Sequence, residues 1–145
     1  ATDAASFLWG AELAGESVDD ASWQAVRDHA LQHFPRAGLA FADLHLALAC
    51  AATGEHDRLA ALAAALHERA ACGRLPAGPV LPQLVEGVAA YRRGDWHAAI
   101  EALQAGLDET VRIGGSRAQR DLLRQTLCAA CVRAGRGDDA RRLRR

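Results

Sequence analysis

Apolar residues recur along this chain at three- and four-residue spacing, in eight stretches broken by Gly, Pro, Ser or Asp. That spacing gathers them on one face of a helix. It predicts helices over 3–14, 20–34, 39–53, 56–72, 80–93, 96–112, 117–134 and 138–144. The punctuation agrees with these limits. Pro35 ends the second helix, Gly73 closes the fourth, and Pro76, Pro79 and Pro82 make one rigid connection. Gly114-Gly115-Ser116 turns the chain into the seventh helix with Ser116 as its N-cap.

The helices come in pairs. Gly15, Gly54, Gly94 and Gly135 each close an apolar stretch, at intervals of 39, 40 and 41 residues. Seven and four residues before each Gly stand Leu8 and Ala11, Ala47 and Cys50, Gly87 and Ala90, and Cys128 and Cys131. Most of these side chains are small, and each pair shares a helix face, so a second helix can approach closely. Five or six residues after each Gly another small residue follows: Ala21, Ala60, Ala99 and Ala140. A regular interval of this size marks stacked helix pairs that depend on their neighbours to bury their apolar faces. The expectation is one all-α domain over 1–145, of about four tandem antiparallel hairpins stacked as a right-handed α-solenoid.

The third unit, Leu84-Val85-Glu86-Gly87-Val88-Ala89-Ala90-Tyr91-Arg92-Arg93-Gly94-Asp95-Trp96-His97-Ala98-Ala99-Ile100, resembles a tetratricopeptide repeat in its small, turn and aromatic positions. It departs from that repeat at Gln83 and Glu86, where large apolar residues are usual, and at Val111, where a terminal proline is usual. Two further strings, Phe41-Ala42-Asp43-Leu44-His45-Leu46-Ala47-Leu48-Ala49 and Arg112-Ile113-Gly114-Gly115-Ser116-Arg117-Ala118-Gln119-Arg120-Asp121-Leu122-Leu123, look like the C-terminal part of the tetratricopeptide repeat protein 38 family. The likeness spans almost the whole chain. Arg117 stands where that family would carry His, so no imidazole role is carried over at the turn. The resemblance implies a helical-repeat protein without an established activity, of which this chain is a C-terminal fragment. The lack of Met and the start on Ala1 fit that expectation.

Composition sharpens the class. Half of the residues are apolar but only 5% are aromatic, and Ala and Leu dominate, which favours helices over strands. The net charge of −1 points away from nucleic acid and from an anionic membrane surface. The terminal run Arg133, Arg136, Arg141, Arg142, Arg144 and Arg145 reads as a last helix whose carbonyl end favours cations. No stretch has the roughly 20 apolar residues of a membrane span, and a cytoplasmic protein is expected.

Several pairs carry candidate chemistry. Cys128-x-x-Cys131 has zinc spacing, but both thiols fall on the small-residue packing positions and no second pair completes a set. His29-x-x-x-His33 lacks the glutamate that would follow the first His in a metalloprotease helix. Neither metal nor cofactor is expected, and no nucleophile elbow, phosphate loop or dinucleotide fingerprint occurs. Asp43 and His45, two apart on a helix, point in different directions, and each could pair with a partner from another helix. The opening of the seventh helix offers Gly114, Gly115, Ser116, Arg120 and Asp121, whose free amides and charges could hold an anion. Structural capping and salt bridges account for the same residues.

A solenoid binds partners on the concave side, lined by the first helix of each pair. Position relative to the turn Gly assigns Leu84, Val88, Tyr91 and Arg92 to that face in the third unit, and Gln125, Ala129, Val132 and Arg133 in the fourth. Arg92 and Arg133 are equivalent and would suit a carboxylate-bearing peptide. Solvent exposure explains them equally well. The expected function is a non-catalytic scaffold for a protein or peptide. The alternatives are part of an enzyme or anion binder with a pocket at Asp43, His45 and Ser116–Asp121, and a structural domain that forms a homodimer through an uncapped repeat end.

Overall fold

Local capping groups set several of the helix boundaries. A computed structural model describes residues 2–145, and the end at Ala1, where an uncapped repeat face was expected, lies outside the described residues. The chain is all-α: α1 (Thr2–Leu13), α2 (Asp20–His33), α3 (Ala40–Ala52), α4 (His56–Ala71), α5 (Val80–Arg93), α6 (Trp96–Gly106), α7 (Arg117–Arg133) and α8 (Gly137–Leu143). Asp19 caps α2 by accepting from the Ser22 amide at 2.7 Å, and Asp95 caps α6 through the Ala98 amide at 3.2 Å. Ser116 and Gln119 form a reciprocal capping box on α7. Gly94 ends α5 in the left-handed region at φ 77°, where a side chain would be strained.

One boundary differs from expectation by more than one residue. The helix predicted over 96–112 stops at Gly106, and Leu107–Ile113 tightens into 3-10 turns. The β-branched residues Thr110, Val111 and Ile113 suit an α-helix poorly, and the tighter winding buries Thr110 and Ile113.

α3 is the centre. Every residue from Ala42 to Ala51 is buried, and its small side chains Ala47, Ala49, Cys50 and Ala51 let neighbours pack on all sides. α1 packs on α3, α3 on α5 and α5 on α7, and α7 returns to pack on α1. Among the described residues the even-numbered helices make their main contacts with the helices adjacent to them in the chain. The α5–α6 approach depends on glycine: a Cβ on Gly87 would lie 2.7 Å from Leu103 Cγ, and one on Gly106 would lie 2.9 Å from Leu84 Cδ2. Large side chains that fill the interior include Trp9, Trp23, Leu48, Leu66, Leu84 and Leu103. Among the described residues no helix is long and apolar enough to cross a membrane.

Candidate functional site

Two polar clusters compete for the role of a site, and the first is closed. His45, 4% exposed, has Nδ1 2.6 Å from the Phe41 carbonyl and Nε2 2.6 Å from Ser6 Oγ. Burial pushes its pKa below the usual histidine value, partly offset by the Phe41 bond, so the ring is neutral at pH 7. Nδ1–H then donates to Phe41 and Nε2 accepts from the Ser6 hydroxyl. Asp43 turns toward a different neighbour, with Oδ2 accepting from the Gly38 amide at 2.8 Å. Burial raises the Asp43 pKa, while the Gly38 bond and the field of Arg69 pull it down.

The seventh-helix opening is equally occupied. Ser116 and Gln119 cap each other, and Gln119 Nε2 donates to Asp3 Oδ1 at 2.6 Å, fastening α7 to α1. Arg120 donates to the Gly115 carbonyl, and Asp121 lies 3.9 Å from Arg117. The space among Phe41, His45, Gly114 and Arg120 amounts to only about 10 Å³. Asp43 and His45 therefore do not converge with Ser116, Arg120 and Asp121 in an open cleft.

The second cluster is open. A cleft of about 420 Å³ sits where the C-terminal ends of α1, α5 and α7 meet the start of α6. Trp9 and Tyr91 face each other with ring centroids 5.9 Å apart, and Tyr91 meets Trp96 edge-on at 5.5 Å. Trp9 is anchored from below, its Nε1 donating to Thr126 Oγ1 at 3.0 Å and its ring meeting Trp23 edge-on at 6.3 Å. Arg92 lies 5.8 Å from the Trp9 ring centroid and pairs with Glu12 at 2.5 Å. Glu12 also accepts from Trp23 Nε1 at 2.9 Å, so two donors hold this carboxylate. Arg133 lies 5.7 Å from the centroid of Trp96, a cation–π arrangement. It makes no ion pair among the described residues. Burial raises the Tyr91 pKa, against the pull of Arg133 and Arg92, so the phenol stays protonated at neutral pH.

A neighbouring cleft of about 430 Å³ continues along the α1–α7 seam, with Gly10, Leu13 and Ala14 facing Gln125 and Ala129. Leu13 lines both clefts. The groove expected from the turn register is thus split. Tyr91, Arg92 and Arg133 meet in the first cleft, and Gln125 and Ala129 line the second. Val132 stands 53% exposed to solvent. Leu84 and Val88, expected on the groove wall, are instead fully buried, because α5 is surrounded by α3, α4, α6 and α7.

Trp9, Glu12 and Leu13 were missed, although the same register contains them. They stand six, three and two residues before Gly15, as Val88, Tyr91 and Arg92 stand before Gly94 and Ala129, Val132 and Arg133 before Gly135. Extending the rule to the first unit would have found them.

The metal candidates stay separate. Among the described residues no three His, Cys, Asp or Glu side chains gather to hold an ion. Cys128 and Cys131 are buried free thiols, and the rings of His29 and His33 stack at 3.9 Å. No family model, curated protein or solved structure matches the chain.

Proposed function

We propose that this chain is a non-catalytic peptide- or protein-binding scaffold, made of four tetratricopeptide-like helix pairs stacked as an α-solenoid. Its relation to the tetratricopeptide repeat protein 38 family is part of the same proposal. The order of packing supports it, since each odd helix lies on the next and each even helix lies outside its own partner. In this reading the superhelix is wound tightly enough for the first and fourth pairs to meet. The concave side is then the narrow seam between α1 and α7.

The observation that carries the proposal is Arg133, stacked on Trp96 at the cleft and lacking a carboxylate partner among the described residues. Its guanidinium fork suits a carboxylate, and the aromatic walls around it weaken competition from water. The protein already seats one carboxylate there, Glu12 on Arg92. The ligand that fits is a peptide with an Asp, Glu or C-terminal carboxylate for Arg133 and an apolar side chain for the seam at Leu13 and Ala129. The Ser6–His45 pair offers no rival catalytic reading, because only about 10 Å³ of space adjoins the imidazole.

An array of short peptides probed with the purified chain tests the reading. Retention of peptides that combine a carboxylate with an apolar residue is the expected result. Retention of basic peptides alone, or of none above background, would overturn it.

A further inference from the structure

A separate cleft, of about 420 Å³, opens between the α2–α3 connection and the C-terminal end of α4. Arg36, Arg69 and Arg74 line it together with Glu68 and Cys72. None of the three arginines makes an ion pair among the described residues, with Glu68 or any other carboxylate. Arg69 is also held in place. Its guanidinium lies across Gly38, where a Cβ would come within 2.8 Å of Nη2, and the Gly38 turn is tied by its amide to Asp43 at 2.8 Å. Arg69 Nε is buried with no hydrogen-bond partner among the described residues. A cationic donor left unpaired is costly, and an acceptor in the cleft would offset that cost through the part of the same guanidinium that lines it.

The carbonyl end of α4 favours a cation and accounts for part of the arrangement. It does not account for Arg36, which is brought in from a different segment, or for the unpaired Nε. Among the lining residues three guanidiniums stand against one carboxylate, with Asp43 behind the Gly38 turn offsetting part of the Arg69 charge, so the cleft remains net positive. We infer that this cleft binds a dianionic phosphoryl group, as free phosphate or as a small phosphomonoester. Guanidinium forks match the phosphate oxygens in charge and geometry. The volume is in the range of small-molecule sites, about 300–1,000 Å³, and leaves room for an organic body on the phosphate. This inference shares no residue with the peptide cleft and stands or falls independently of it.

Cys72 supplies the readout, since it is exposed in this cleft while Cys50, Cys128 and Cys131 are buried. Native-state alkylation by iodoacetamide, an uncharged reagent, is followed by mass at Cys72 with inorganic phosphate, with glycerol phosphate, and with chloride at matched ionic strength. The expected result is saturable slowing by about tenfold in phosphate, in glycerol phosphate or in both, with none in chloride. Slowing by both assigns free phosphate as sufficient, and slowing by the ester alone assigns the ester. Arg74→Gln, at an exposed position, and Arg69→Gln should each abolish the protection, with unfolding midpoints recorded to confirm that the variants fold. Equal slowing in chloride, no slowing in any arm, or full protection in folded Arg74→Gln would overturn the inference.

Discussion

The polar cluster around His45 and the cleft around Arg133 contain similar ingredients, an aromatic ring, a basic side chain and a helix end, yet they are used in opposite ways. Around His45 each polar group has a partner within the chain: Ser6 and Phe41 for the imidazole, Gly38 for Asp43, Gln119 for Ser116 and Gly115 for Arg120. Around Arg133 the cation rests on an aromatic face, open to a further acceptor. The difference teaches that residue type and proximity do not distinguish a structural cluster from a site. The number of donors left without an acceptor does.

The strongest way to break the comparison is to remove the residue on which the open cleft is built. Trp9 is 1% exposed and touches Trp23, Tyr91 and Thr126, so it belongs to the core as much as to the cleft. Trp9→Ala should cost about 3–5 kcal/mol in urea unfolding. A cost near zero would mean that the α1–α7 closure is not formed.

The closed cluster should respond next. Gly115 has φ +79° and faces the Phe41 ring, which an added Cβ would overlap. Gly115→Ala should destabilise by about 1–3 kcal/mol while leaving peptide binding unchanged. If binding fell and stability did not, the two clusters would have to exchange roles.

His45 gives the same cluster a pH signature. Its pKa is lowered by burial from 6.5. Above that value both folded and unfolded forms are neutral and the stability is fully present. As pH falls below it, the unfolded chain takes up the proton first and the folded state loses ground, until its own lower pKa is reached. The loss should approach at most about 1.4 kcal/mol per pH unit, and His45→Gln should flatten it. Matching slopes in both proteins would show the imidazole to be solvated.

The smallest stability effect comes from the open cleft. Glu12→Gln removes the charge that holds Arg92 while leaving an oxygen for Trp23 Nε1, and should shift stability by less than about 1 kcal/mol. It should also tighten acidic peptides by up to about tenfold, because a second guanidinium becomes available. Weaker binding would mean that Glu12 itself contacts the peptide.

Much of the fold was legible because its signals are local. Gly94, Asp95, Pro35 and Ser116 act within a turn of where they stand, and they give helix limits close to those observed. The 3-10 winding at 107–113 was not legible, since it reflects a balance between β-branched residues and burial against α5 and α7. The return of α7 to α1 was also hidden, since it joins residues more than a hundred positions apart, such as Gln119 to Asp3 and Trp9 to Thr126, and leaves no mark at any one position. The site follows the same division. Register from the turn Gly placed Tyr91, Arg92 and Arg133 on a common side, but only three-dimensional closure brings Glu12 onto Arg92 and leaves Arg133 in the same cleft without a carboxylate partner among the described residues.

The most direct test of the account is a fluorescence titration of the best array peptide into the wild-type chain and Arg133→Glu, since Trp96 lies beneath that guanidinium. Unfolding midpoints of both proteins are recorded alongside, and should agree within about 0.5 kcal/mol because Arg133 is an exposed residue. The account predicts saturable binding to wild type and at least about tenfold weaker binding to the variant, a loss of about 1.4 kcal/mol or more. Equal affinity for two equally stable proteins would contradict it.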